Sequence, residues 1–145
     1  MPAPLAPTDS RQPAVADHAR RYAATGGTDG HLWNGVPTLL LTTRGRSSGL
    51  LRRTPLIYQP YDGPAYLVVA SHLGADQHPH WYLNLRATPK AQVQVLDRHI
   101  PVSARTVPDT EQAGLWERMC AVWPDYDRYQ QGTERRIPLV VLQPR

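Results

Sequence analysis

Thr42-Thr43-Arg44-Gly45-Arg46-Ser47-Ser48-Gly49-Leu50-Leu51-Arg52-Arg53-Thr54-Pro55-Leu56 decides how the chain reads. An apolar strand-like run, Pro37 to Leu41, enters this stretch, and a second, Pro55 to Tyr58, leaves it. Between them lie two glycines, two serines and four arginines. Glycine accepts positive φ and lets backbone approach a ligand closely. Successive N–H groups in such a turn can form an anion nest. Arginine adds a planar, permanent charge that matches phosphate or carboxylate. The stretch therefore reads as an anion-gripping hairpin. Taken alone, it reads first as a solvated β-turn with arginines on its rim, so its surroundings must decide.

Outward from the hairpin, strands dominate. Pro37–Thr43 and Arg53–Gln59 pair across it, and Asp62-Gly63 is a hairpin turn before a third strand, Ala65–Ser71. That third run is almost continuously apolar, as in a barrel covered on both faces. Pro79 suits the first turn of a short helix that ends near Pro89, with Trp81 and Leu85 on one face. Ala91–Leu96 and Ile100–Val107 are further strands. Asp109 and Gln112 have the spacing of a capping box ahead of a helix striped by Leu115, Trp116, Met119 and Trp123. Pro124–Gln131 restarts a short helix, and Ile137–Leu142 is the last strand. Arg11–Ala24 is a helix with Val15, His18, Ala19 and Tyr22 on one face, and Thr28–Gly35 is a loop. The expected class is mainly β (α+β), with six antiparallel strands and short helices. Alternating βαβ units are missing, so a doubly wound parallel sheet is not expected.

The 145 residues suffice for one domain with a core that needs no disulfide. Cys120 is the only cysteine, which fits a reducing compartment. No charged leader precedes an apolar run, and no apolar run approaches the ~20 residues of a membrane span. A cytoplasmic protein is expected. The first ten residues are rich in proline and small side chains and read as a disordered arm. With the following helix, this arm is also the candidate for peripheral membrane contact. Net charge is +4, carried by arginine except for Lys90. Such a balance suits an anionic partner. The arginines are dispersed, without the basic stripe and interleaved aromatics of a nucleic-acid surface, so nucleic acid is not expected.

Standard chemical motifs do not fit. The hairpin lacks Gly-Lys-Ser/Thr, so it is no Walker loop. Ser71 follows a strand but has no G-x-S-x-G elbow. His78-Pro79-His80, with His72 and Asp76, lacks a matching ligand pair elsewhere, and no metal is expected. Cys120 reads as a core residue.

The ordered set of motifs says more than each one. Leu40-Leu41-Thr42-Thr43-x-Gly45-Arg46-x-Ser48-Gly49, Arg52 with Thr54-Pro55-Leu56-Ile57-Tyr58, and Val69-Ala70-Ser71 form its first half. His78-Pro79-x-Trp81-Tyr82-Leu83-Asn84-Leu85, Pro124-Asp125-Tyr126-Asp127-x-Tyr129-Gln130 and Ile137-Pro138-Leu139-Val140-Val141 complete it. From about Gly35 onward the sequence resembles the deazaflavin-dependent nitroreductase family. The resemblance implies a split β-barrel, FMN-binding-like, over residues 35–145, with an arm and short helix over 1–34. It implies coenzyme F420, an 8-hydroxy-5-deazaflavin with an anionic phosphate and oligoglutamate tail. On this pattern Arg46, Ser47, Ser48 and Arg52 hold the phosphate. Thr54, Pro55, Leu56, Ala70 and Ser71 line the ring, His72 is a further cofactor-binding position, and Trp81, Tyr82 and Asn84 form the other wall. Tyr126, Tyr129 and Ser71 are the candidates to stabilise and protonate a reduced acceptor, and Tyr126 also borders the cofactor. The two tyrosines stay open between that role and packing at the rim.

The implied reaction is hydride transfer to a small-molecule acceptor: a quinone, a nitroaromatic or an activated alkene. Split barrels also pair, so a homodimer is an expectation. Departures from the pattern are Ser47 where lysine is usual, His72-Leu73 where Lys-Gly is usual, and Trp123 in place of a tyrosine. Arg44 and Arg53 are extra cations that could compensate. Two alternatives stay open: a non-catalytic carrier of F420, a flavin or a tetrapyrrole, and a reductase that uses FMN.

Overall fold

Residues 42–56 form the expected hairpin in the computed structural model, which describes residues 7–145. In chain order the elements are α1 (Pro13–Ala24), β1 (Leu32–Trp33), β2 (Val36–Arg44), β3 (Leu51–Ile57), β4 (Gln59–Tyr61) and β5 (Ala65–Val69). A single 3-10 turn (His72–Gly74) and α2 (His80–Ala87) follow. β6 (Lys90–Val95), β7 (Arg98–Thr106), α3 (Asp109–Val122), α4 (Asp125–Gln131) and β8 (Leu139–Pro144) complete the chain. All six expected strands form, and two short ones join them. β1 arises within the expected loop because Leu32 and Trp33 pair with Pro37 and Val36. β4 arises beside the Asp62-Gly63 turn because Gln59–Tyr61 pair back onto β5.

The pairing order explains the barrel. β3 lies beside β2, and the sheet continues β2-β6-β7-β8-β5-β4, all antiparallel. β3 and β4 therefore lie at opposite ends of the order, yet only Tyr58 separates them in the chain. That one-residue link bends the sheet until its edges meet, which gives a split barrel. Alternation then creates two cores. Leu39, Leu41, Val68, Ala70, Tyr82, Leu85, Val93 and Leu142 fill one. Leu67, Val69, Met119, Tyr126, Leu139 and Val141 fill the other, beneath α3 and α4. Neighbours along β5 and β8 face opposite ways, as period two requires.

α1 forms where its spacing predicts. Ala19 and Tyr22 bury against Leu40 on the outer face of β2. The Tyr22 hydroxyl donates to Thr38 O at 2.9 Å and accepts from the Leu96 N–H at 2.8 Å. Two expectations are corrected. The disordered arm lies outside the described residues over 1–6, but Thr8 adds to the edge of β3. Its N–H donates to Leu51 O, and the Arg53 N–H donates to Thr8 O, both at 2.8 Å. Asp9 grips the Arg53 guanidinium at 2.7 and 2.9 Å. The capping box is not made: Pro108 is the N-cap of α3 and no side chain caps it. Gln112 turns inward and donates to Ile137 O at 3.0 Å, while Asp109 pairs with Arg136. Tertiary partners outcompete the local cap because the buried Ile137 carbonyl needs a donor.

Candidate cofactor site

The hairpin loop is built by its own short bonds. The Gly45 N–H donates to Leu50 O at 2.7 Å, the Gly49 N–H to Gly45 O at 2.8 Å, and the Leu50 N–H to Ser48 Oγ at 3.1 Å. A Cβ on Gly45 would stand 2.6 Å from Ser48 Oγ and 3.1 Å from Leu50 O. Gly49 sits at φ +72°. Arg44 braces the turn by donating to Gly49 O at 2.9 Å, and Arg53 is neutralised by Asp9. Arg53 therefore does not stand free to replace a missing lysine, whereas the charge of Arg44 is not cancelled by its bond to a neutral carbonyl. Among the described residues Arg44, Arg46 and Arg52 pair with no carboxylate. The Ser47 and Ser48 N–H groups donate to no described residue. Three unneutralised cations beside two unpaired amides fit an anion such as phosphate.

α2 fixes this loop in place. Asn84 is 3% exposed. Its Oδ1 accepts from the Arg46 backbone N–H at 3.1 Å and from Arg46 Nη1 at 2.9 Å. Its Nδ2 donates to Thr43 Oγ1 at 3.2 Å. Arg46 Nη2 also donates to His80 Nδ1 at 3.3 Å. Asn84 is thus less a wall than a bracket that orients Arg46 without neutralising it. Carboxylate in the same position would make an ion pair and cancel the charge.

The strand register sorts the proposed ring-lining residues. Arg52, Thr54 and Leu56 stand opposite Thr43, Leu41 and Leu39, on the inner face. Leu56, Ala70, Trp81 and Tyr82 all pack into that first core. The Tyr82 hydroxyl is hydrogen-bonded to Thr106 Oγ1 at 2.9 Å. Pro55 stands opposite Leu40, so its ring is on the face that α1 covers. Arg46, Ser47, Ser48, Arg52, Thr54, Leu56, Ala70, Trp81, Tyr82 and Asn84 therefore converge on one side of the barrel, and the Pro55 side chain does not.

Ser71 and His72 begin a tight turn at the end of β5. His72, Leu73 and Gly74 have φ of 48°, 55° and 82°. Leu73 is 72% exposed. Three consecutive left-handed residues are costly for side chains other than glycine. An arginine absent from the expected set holds this turn. Arg135, between α4 and β8, donates to Ser71 O at 2.6 Å, Ala75 O at 2.7 Å and Ala70 O at 3.3 Å. In sequence it is one member of the charged run Glu134-Arg135-Arg136, which resembles any solvated connector. The histidines take separate partners: His72 faces Gln77 O, His78 faces Arg135 and His80 faces Arg46. No group of three metal-ligating side chains assembles among the described residues.

Tyr126 and Tyr129 lie on α4, with the second core. Tyr126 is 5% exposed, its ring edge-on to Tyr129 at 6.3 Å. Burial, then the neighbouring Tyr129 and Cys120, push its hydroxyl well above the usual phenol range, so it stays protonated. Tyr129 is partly exposed, and its backbone abuts Gly74. With Leu73, Gly74, Arg128 and Gly132 it lines a shallow depression. Trp123 packs against Trp33 with ring centroids 4.7 Å apart and the planes tilted. Burial, then Asp127, raise the Cys120 thiol to about 11. Native protein should therefore react with maleimide at neutral pH far more slowly than unfolded protein, which a thiol titration with and without denaturant would show.

Comparison with known proteins agrees with this fold. The family model for F420H(2)-dependent quinone reductase matches residues 14–144. An F420H(2)-dependent quinone reductase of Mycobacterium tuberculosis is 40% identical over 129 residues, which span 86% of each chain. A solved F420-H2 dependent reductase, FDR-A, is 35% identical at a TM-score of 0.66, covering 74% of this chain and 94% of its own. A further structure, described as a domain-swapped dimer, is 34% identical at a TM-score of 0.68, covering 88% of this chain and 95% of its own. With a split barrel, an uncompensated arginine hairpin and a family match over nearly its whole length, the chain belongs to the F420H(2)-dependent quinone reductase family.

Proposed function

We propose that the groove between the Arg46 hairpin, α2 and the Ala70–His72 turn binds reduced coenzyme F420 and presents it to a quinone acceptor. The observation that carries this reading is the Asn84 bracket. A buried amide holds Arg46 in place and leaves its charge unspent. Arg46, Arg52 and the Ser47 and Ser48 amides would hold the phosphate. Thr54, Leu56, Ala70, Trp81 and Tyr82 would flank the ring, with Pro55 contributing backbone only. Ser71 and His72 would border its reactive edge. Nitroaromatics and activated alkenes belong to the same proposal as further acceptors.

When bound, the reduced deazaflavin supplies a hydride from C5. The chain's own work is to align that carbon with the acceptor and keep water out. Negative charge then develops on the acceptor oxygen. A hydroxyl aimed at that oxygen stabilises it, and a proton must follow. Ser71 is at the turn itself. Tyr129 is next to it, and Tyr126 supports Tyr129 as a protonated neighbour.

α1 and the Thr8–Asp9 edge extend the barrel, so residues 7–34 act as an added cover and 35–145 as the cofactor-binding unit. No described helix is long and apolar enough to cross a membrane. Cytoplasmic residence, and pairing of two copies, complete the proposal; the domain-swapped relative supports pairing. The buried face of α1 is spent on Leu40 and is not available to a membrane surface.

Titration of purified protein with oxidised F420 and with FMN tests the cofactor. F420 should bind at least ~10-fold more tightly, since its extra anionic groups meet an uncompensated cationic hairpin, and salt should weaken it by screening. Equal or tighter FMN binding would favour the flavin alternative.

A further inference from the structure

We propose that Arg135 is a positioning residue for hydride transfer: it holds the Ala70–Ser71 end of β5 in the shape that aligns the deazaflavin ring. The inference rests on the groove assigned above. One guanidinium spans the whole 70–78 loop. Nε donates to Ala75 O at 2.7 Å, Nη2 to Ser71 O at 2.6 Å, and Nη1 to Ala70 O at 3.3 Å and to His78 Nδ1 at 3.1 Å. The loop it spans contains the left-handed His72 and Leu73 and needs an external brace.

Arg135 is itself held. Gln130 Nε2 donates to Arg135 O at 2.7 Å, and Gln130 Oε1 accepts from the Ile137 N–H at 2.9 Å. Thr133 Oγ1 donates to Asp76 Oδ1 at 2.9 Å, a second tie between connector and loop. Burial, then the charges of Arg135 and Arg86, hold His78 below the usual histidine range, so Nδ1 keeps its lone pair for the guanidinium at neutral pH. The Tyr82 ring lies 4.9 Å from His78, which links the brace to the inner core. Nothing here belongs to the anion hairpin, whose bracket is Asn84. The two arginines therefore divide the work: Arg46 grips the anionic end, and Arg135 sets the wall beside the ring.

That division makes the test specific. In Arg135→Met, kcat with F420H2 and menadione should fall roughly 10- to 100-fold, the scale of a reacting pair misplaced by about 1 Å. The dissociation constant for oxidised F420 should change less than about threefold, because hairpin contacts are intact. Arg135→Lys, which keeps a cation for some of the carbonyls, should recover part of kcat. In cofactor-free protein, amide exchange over Ser71–Gln77 should quicken at least ~10-fold in Arg135→Met and be partly restored in Arg135→Lys. Unchanged kcat, or equal losses of kcat, F420 affinity and thermal stability in both variants, would overturn the proposal. Failure of the wild-type protein itself to bind F420 would instead overturn the reading of the groove, and the exchange measurement would still decide whether Arg135 orders the loop.

Discussion

Arg46→Ala is expected to raise the dissociation constant for oxidised coenzyme F420 by roughly 10- to 150-fold. Charge-assisted hydrogen bonds contribute about 1.5–3 kcal/mol each, and Arg46 is the hairpin cation that α2 aims. The side chain is exposed, so thermal stability should move little. The salt dependence of binding should also flatten, because one charge has left the site. Arg46→Lys should recover part of the affinity, since a point charge remains but the planar fork that spans Asn84 and His80 is lost. Asn84→Ala should weaken binding in the same direction while also lowering stability, because the Arg46 amide and the Thr43 hydroxyl lose a buried partner. Fluorescence titration and a melting curve separate the two effects. An Arg46→Ala protein with wild-type affinity and salt slope would place the anion elsewhere.

The second large effect is expected at Gly74. A Cβ there would stand 2.7 Å from the Tyr129 carbonyl oxygen and 2.9 Å from its Cα, with φ at +82°. Both obstacles are backbone, so neither can swing aside as a side chain could. Gly74→Ala must either push α4 off the turn or twist the turn itself. Overpacking of about 1–3 kcal/mol plus left-handed strain of about 1 kcal/mol suggests a loss near 3 kcal/mol. For a chain of this size that lowers the melting temperature by roughly 6–12 °C. Gly63→Ala makes a useful contrast: its φ of +74° is similar, but its Cβ would meet nothing within 4 Å. It should cost only the strain. Comparable melting shifts in the two variants would mean that the contact between the turn and α4 contributes nothing.

The parts legible in the sequence were those with strong local signals. Alternation and turn residues located all six main strands, and Pro79 marked the start of α2 within one residue. The Gly45/Gly49 hairpin was readable because glycine and serine there answer to a tight turn, not to packing. The misses are all tertiary. Strands β1 and β4 are two and three residues long and exist only because β2 and β5 offer free edges. Gln112 has the spacing of a cap residue, and only the fold brings Ile137 O within its reach. Arg53 read as a spare cation until the arm brought Asp9 to it from 44 residues away. Arg135 is one arginine among several in a connector, and its four partners lie on a loop that the barrel's closure delivers. The site residues were named by resemblance. Register then separated Pro55 from Thr54 and Leu56, and α4 from the hairpin side, which no pattern in the sequence could do.

The most direct test of the whole account is turnover. Purified protein, mixed with chemically reduced F420 and menadione, should regenerate oxidised F420 in proportion to enzyme, with one hydroquinone formed per cofactor oxidised. FMNH2 in its place should give little enzyme-dependent rate. Tight F420 binding with no turnover across quinones would contradict the reductase reading and leave the carrier. No F420 binding at all would contradict the assignment of the arginine hairpin.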